Sequence, residues 1–265
     1  MFQSVQIVRG LGRRLFRPLP HSEEAELIDE VGHDPAALAE NFRDIRRVNH
    51  RLGGTAIVLR HLPRFLVLLP AKQPVALLDL ATGCADIPLA ISRWAMRRDV
   101  SVTIVASDNS RAILALAREQ IAGHANIRLA RYDARAVPLP DNHFDIVLCS
   151  LSLHHFSPDD AVKVLREMDR LARLGFIIND LRRGRLAYAA AWIATRLTTR
   201  SRLTHNDAPL SVRRAYTPKE LDALFRSAGI ENATITTHLW FRMAAVKIGG
   251  GRRASGSDIL IAPRA

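Results

Sequence analysis

The chain reads as an α/β protein built on a mostly parallel sheet with helices on both faces, and three observations predict this. From residue 75 onward, strand-like apolar runs alternate strictly with segments of helical periodicity. Those runs are apolar on both sides, as strands covered on both faces must be. The first of them, Val75–Leu80, leads through LLDLATGCADIP (Leu77 to Pro88) into apolar residues at helical spacing, Ile87, Leu89-Ala90 and Trp94. That is strand, tight turn, helix. Small residues in such a turn let backbone N–H groups approach a ligand at the positive end of the helix dipole, so a polar metabolite is expected there.

Length and composition set the outer bounds. The 265 residues are 48% apolar, enough to fill a core in one large domain or two small ones. No apolar run reaches the roughly 20 residues of a spanning helix. Residues 57–71 are interrupted by Arg60, His61, Pro63 and Arg64, and 186–197 is short. Arg9, Arg13, Arg14 and Arg17 stand near the start with no acid and no long apolar stretch, which argues against a secretory signal and superficially matches an organellar presequence. The preferred reading is a frayed basic arm. Cys84 and Cys149 make neither a disulfide framework nor a zinc spacing, so no metal is expected and a cytoplasmic, reducing location is the simplest reading. The net charge of +12 is compatible with nucleic acid, an anionic membrane surface, acidic substrates or a plain solvated surface.

Taken in order, residues 1–74 read as a basic arm and helical cap. Leu38, Phe42, Ile45 and Val48 share a helical face after the His33-Asp34-Pro35 cap, and Gly53-Gly54 stops that helix. A second helix, 56–69, carries a kink at Pro63. The main domain spans 75–248. It predicts strands at Val75–Leu80, 100–107, 127–130, Phe144–Ser150 and 176–179, with helices at 85–97, 110–122 and 159–172. An excursion of about 181–216 holds one helix, whose face is Leu186, Ala189-Ala190, Ile193 and Leu197. Thr217-Pro218-Lys219-Glu220 is a capping box opening a helix that ends at Gly229. Strands at 233–238 and 243–248 close the domain, and the Gly/Ser/Arg-rich stretch 249–265 reads as a mobile tail.

Ligands of an open parallel sheet lie beyond the carboxyl ends of the strands, so the residues there are the ones to weigh. Asp79 ends the first strand. Asp108, followed by Asn109 and Ser110, ends the second, where an acid either accepts both hydroxyls of a ribose or caps the next helix. Asp133-Ala134 follows the third strand, and Ser150-Leu151-Ser152-Leu153-His154-His155-Phe156 follows the fourth.

Within the turn, small residues fall at Ala81, Gly83 and Ala85, every second position, with Asp at 86. The dinucleotide fingerprint would need a small residue at 86. The observed spacing resembles the glycine loop of class I S-adenosylmethionine-dependent methyltransferases, in the variant with Ala first that is found in ubiquinone/menaquinone methyltransferase-like members. The resemblance covers roughly 75–248. It implies a Rossmann-like seven-stranded sheet whose last strand is antiparallel, with S-adenosyl-L-methionine as cofactor. It also implies that Asp79, Ala81, Gly83, Ala85, Asp108 and Asn109 hold the donor, that Asp133 and Ala134 meet its adenine, and that Ser150 and Leu151 line its methionine side. Ala in place of Gly at two positions and Cys84 within the loop are departures.

Methyl transfer from a sulfonium needs alignment and, for some acceptors, a base. His154 and His155 are the leading base candidates, unless they only bond to backbone in the next loop. His205 with Asp207 is a second pair, unless the two form an Asx-type turn before Pro209. Tyr188, Trp192, Trp240 and Phe241 are candidate acceptor walls, and Arg182 and Arg183 are candidate partners for an acidic or phenolate group. The expectation is a methyltransferase acting on oxygen or carbon of a small, largely apolar acceptor, phenolic, quinone-like or polyketide-derived, of the secondary-metabolism kind. Peripheral membrane contact through basic residues fits the charge. Nucleic acid is not the expected partner, because the Asn/Asp-Pro-Pro-aromatic segment of amino-group methyltransferases is replaced by SLSLHHF. An RNA methyltransferase, a nicotinamide oxidoreductase and a non-catalytic binding module are the alternatives.

Overall fold

The computed structural model describes residues 18–30, 32–70 and 72–249. The basic arm up to residue 17 and the tail from 250 lie outside the described residues. A 3-10 turn (Leu27–Asp29) precedes α1 (Pro35–Arg51), α2 (Gly54–His61) and α3 (Pro63–Leu66). The alternating core follows as β1 (Val75–Leu80), α4 (Asp86–Met96), β2 (Val102–Asp108), α5 (Arg111–Gln120), β3 (Ile127–Arg131), β4 (Phe144–Ser150), α6 (Pro158–Leu171) and β5 (Ala172–Leu181). Between β4 and α6 lies a 3-10 turn, Leu153–His155. The chain closes with α7 (Arg185–Thr198), α8 (Arg202–Arg214), α9 (Pro218–Ala228), β6 (Thr234–His238) and β7 (Arg242–Ile248).

The seven strands stand in the order β3-β2-β1-β4-β5-β7-β6. All pairs from β3 to β5 are parallel, and β7 runs against both of its neighbours, as the resemblance implies. Strand order reverses between β1 and β4, which opens the ligand crevice at their carboxyl ends. Along β1 the side chains alternate: Leu77 faces one layer, where Val58, Leu62, Phe65, Ile91 and Trp94 from α2 to α4 pack. Leu78 and Leu80 face the other, against Leu165 and Met168 of α6 and Leu221 and Phe225 of α9. Each such side chain contributes about 1.5–3 kcal/mol by leaving water. A third, small cluster sets Leu38 and Phe42 of α1 on Cys84, so α1 lies over the glycine turn.

Local chemistry explains the boundaries. Asp34 caps α1 by accepting from the Ala37 N–H at 3.1 Å. Pro63 does more than kink the second helix: lacking an N–H, it opens a separate short helix. The fifth strand is longer than its apolar run, because 172–175 and 180–181 pair with β4 and β7 whatever their hydrophobicity. The excursion contains two helices, not one. Residues 202–214 form α8 straight through Pro209, so the Asx-type turn expected there does not form. Among the described residues, no helix is long and apolar enough to cross a membrane.

Candidate functional site

The glycine turn explains its own sequence. Ala81, Gly83 and Ala85 all have positive φ, 51°, 57° and 60°, which is why small residues recur at every second position. Gly83 has a second reason: a Cβ there would stand 3.0 Å from the Phe42 ring. Asp108 ties the turn to β2, its carboxylate accepting from the Gly83 N–H (3.1 Å) and the Ser110 N–H (3.0 Å). Ser110 itself caps α5, so Asp108 is not the side-chain cap. Burial raises the Asp108 carboxyl, while those two N–H bonds hold it down in part. Asn109 is exposed, and its carbonyl accepts from Arg131.

Asp79 is buried beneath the turn. Its Oδ2 accepts from the Thr82 hydroxyl at 2.6 Å, and its Oδ1 has no partner. Burial, and then Asp86 and Asp108 nearby, push the carboxyl up to about 7 against the Thr82 bond. Across the crevice, Asn179 donates to Ser150 Oγ (2.8 Å) and leaves its own Oδ1 unpartnered. Leu151, at φ 54°, donates its N–H to the Asn179 carbonyl. Two orphaned acceptors, one on β1 and one on β5 on either side of β4, suit the ammonium group of an amino-acid ligand, which is what the methionine end of S-adenosylmethionine carries. Asp133, by contrast, is gripped by Arg135 through Nη2 (2.7 Å), Nε and the backbone N–H, and Arg135 continues to Asp160. That grip holds its carboxyl below the ordinary range. Ala134 is buried beside it.

The two histidines part company. His154 is buried, with Nδ1 2.6 Å from Asp180 Oδ1 and its backbone N–H donated to Asp180 Oδ2 at 3.1 Å. Burial would raise Asp180, yet the charge and hydrogen bonds of His154 hold it low. The Asp180 carboxylate on Nδ1 fixes the orientation of the ring and turns Nε2 the other way, where Glu26 Oε1 lies 3.7 Å off. His155 instead lies tilted against the His154 ring, centroids 4.5 Å apart, and faces Asp29 at 3.1 Å and Glu26 at 3.9 Å. Burial would lower it, but those two acids outweigh burial and push it up to about 9. It is therefore an imidazolium at neutral pH.

Around this turn the residues 22–30 close as a strap. Arg214 donates to the carbonyls of His154 (3.0 Å), His155 (2.7 Å) and Glu24, Ser211 donates to Glu26 (2.8 Å), and Asp207 accepts from the Leu27 and Ile28 N–H groups. Among the described residues, Glu26, His154 and His155 bring one potential metal-ligand atom each within 4.8 Å of one another. Arg214, 3.8 Å from Glu26 Oε1, and the charged His155 already balance that acid, so the cluster is an ion-paired clasp in its own right. His205 belongs elsewhere, its Nε2 bonded to the Thr199 carbonyl at 2.9 Å at the start of α8.

Two of the expected walls, Trp192 and Trp240, and one expected acidic-group partner, Arg183, are placed otherwise. Trp192 is 44% and Trp240 60% exposed, because α7 and the β6–β7 turn direct them outward. Arg183 is spent on Glu220 and the Ala215 carbonyl. A different arginine, Arg242, is fully buried at the start of β7 beside the carboxyl end of β5, and nothing in an apolar hairpin strand had marked it. Glu26, Asp29 and Asp180 were missed too. A groove of about 450 Å³ lined by Arg43, Arg47, Arg196 and Arg200 lies between α1 and the α7–α8 connection, away from the strand ends.

Comparison with known proteins agrees with this geometry. Residues 77–175 match the family described as methyltransferase domain. The ubiquinone/menaquinone biosynthesis C-methyltransferase UbiE of Azotobacter vinelandii is 26% identical over 234 residues, 83% of this chain and 88% of that one. The UbiE of Ectopseudomonas mendocina is 28% identical over 166 residues, and the match spans 60% of this chain and 59% of that relative. A S-adenosylmethionine-dependent methyltransferase from Aquifex aeolicus superposes with a TM-score of 0.55 at 18% identity, over 81% of this chain and 98% of that one. The CurJ carbon methyltransferase gives 0.61 at 12%, over 81% and 60%. At such identities the structural likeness speaks for the fold.

Proposed function

We propose that this chain, a class I S-adenosylmethionine-dependent methyltransferase, methylates a carbon of a small, largely apolar, enolisable or phenolic acceptor, with His154 as the base that removes the acceptor's proton. The observation that carries the reading is the buried His154–Asp180 pair at the end of β4, 2.6 Å apart, where β1 and β4 diverge. The cofactor supplies a methyl group already activated on a sulfonium. Asp79 and Asn179 would hold its amino-acid end, and Asp108 would accept its ribose. That leaves the protein two tasks, alignment and proton removal. Asp180 orients His154 and stabilises the imidazolium formed as the proton arrives, while the strap residues shield the pair from water. The UbiE relatives, which are named C-methyltransferases, support carbon as the site of transfer. A site for the amino groups of nucleic-acid bases would need an acceptor-binding segment that SLSLHHF does not supply.

The outward face of α7 suits this acceptor. Leu186, Ile193 and Leu197 are exposed with Ala189, Ala190 and Ala194 between them, flanked by exposed Arg185, Arg196, Arg200 and Arg202, and 181–206 holds no acid. An apolar stripe edged by cations suits an anionic lipid surface, where an apolar acceptor would reside.

His154→Ala should lower the methyl-transfer rate about 10²-fold or more while S-adenosylhomocysteine binding stays near wild type, the pattern of a lost base. Asp180→Asn should fall in the same direction. A His154→Ala enzyme at wild-type rate would remove His154 from the chemistry.

A further inference from the structure

Arg242 is the anomaly of the centre. It is 1% exposed, the largest fully buried side chain among the described residues, and its Nε, Nη1 and Nη2 all lack a hydrogen-bond partner. Its backbone pairs with Leu181, at the carboxyl end of β5, so the guanidinium enters at the edge where ligands bind. It lies against Gly54 at the N-terminus of α2: a Cβ on Gly54 would come within 2.7 Å of Nη1 and 1.9 Å of Asn49 Oδ1. Glycine is thus what lets both side chains reach this spot. Asn49 donates to Asp86 Oδ2 at 2.8 Å, next to the glycine turn. The first turn of α2 has no side-chain cap, so its N–H groups face the same place. Asp180 and Asp86 are close enough to favour the charged guanidinium, but neither bonds to it, and burial brings it down to about 10. A structural arginine buried this deeply would be tied to carbonyls or a carboxylate, as Arg183 and Arg214 are.

We propose that Arg242, backed by the N-terminus of α2, is an anion-binding residue of the active centre that receives a ligand carboxylate. The planar fork of donors matches a carboxylate in two parallel bonds. Such a group comes from one of two sources, the amino-acid end of the methyl donor or an acidic acceptor. The inference requires a donor site in this crevice but not the acceptor assigned above.

Arg242→Met, with Arg242→Lys as a second variant should the first fail to fold, separates these outcomes from a structural role. Ligand-free melting is measured first. Calorimetry then measures S-adenosylhomocysteine against methylthioadenosine, which lacks the amino-acid end, and, with S-adenosylhomocysteine present, 4-hydroxybenzoate against its methyl ester. The free Met variant should melt no lower than wild type, because it relieves an unpaired buried charge. It should lose at least tenfold in affinity for one carboxylate ligand while the neutral counterpart is unchanged. The Lys variant, which keeps the charge without the fork, should fall between. Loss confined to S-adenosylhomocysteine places the donor's carboxylate on Arg242, and loss confined to 4-hydroxybenzoate places an acceptor's there. Wild-type affinities for all four ligands in the variants, equal loss of charged and neutral ligands, or no preference of the wild type for either carboxylate would overturn the proposal.

Discussion

The proposed role of Asp79, holding the ammonium group of the donor, predicts a pH dependence of donor binding. Burial and two neighbouring acids place its carboxyl at about 7, so below that pH it holds a proton and loses its attraction for an ammonium group. Affinity for S-adenosylhomocysteine should therefore rise with pH through about 7, changing by up to about tenfold per pH unit below it, as one linked proton dictates. Asp79→Asn should bind weakly with a flat profile, and a variant retaining the wild-type slope would place the titrating group elsewhere. The sequence exposed Asp79, Ala81, Gly83, Ala85 and Asp108 because they sit on one strand–turn–helix unit and one strand end, where local rules apply. It offered both histidines without ranking them. The ranking came from Asp180, 26 residues on, and from Asp29, 126 residues back, contacts that only the tertiary fold makes.

Elements were legible where their termini carry their own chemistry. The capping box of α9 is present as read: Thr217 Oγ1 accepts from the Glu220 N–H and Glu220 accepts from the Thr217 N–H. Thr217→Ala should cost about 0.5–2 kcal/mol in urea unfolding, with no change in donor affinity. A loss in affinity at unchanged stability would instead tie this helix end to the site. The excursion was less legible. Pro209 argued against a continuous helix, yet α8 tolerates it, with Leu203 and Thr204 before the proline and Leu210 and Val212 after it all buried. For α7 the sequence marked an apolar face without a direction, and the structure buries Ala187 and Thr195 and exposes Leu186, Ile193 and Leu197. Periodicity gives a face, not its direction.

At the scale of the whole molecule, the charge of +12 needs an assignment that agrees with the centre. If the face of α7 meets lipid, the protein should co-sediment with vesicles rich in phosphatidylglycerol and not with phosphatidylcholine alone. Leu197→Asp with Ile193→Asp should abolish this without changing donor affinity. Equal recovery with both vesicle types, or no effect of the two substitutions, would remove that face from the account. The sheet order, the strand-end acids and the covering α1 all converge on one crevice, and its occupants decide what the molecule does. The most direct measurement is mass spectrometry of methyl-labelled transfer from S-adenosylmethionine into phenols, quinones, polyketide-like acids and bulk RNA. The expected result is a carbon-methylated small molecule, formed at a rate that depends little on salt and is lost in His154→Ala. Salt-sensitive label in RNA with no small-molecule product would contradict it, because binding through phosphates weakens steeply as counterions are added.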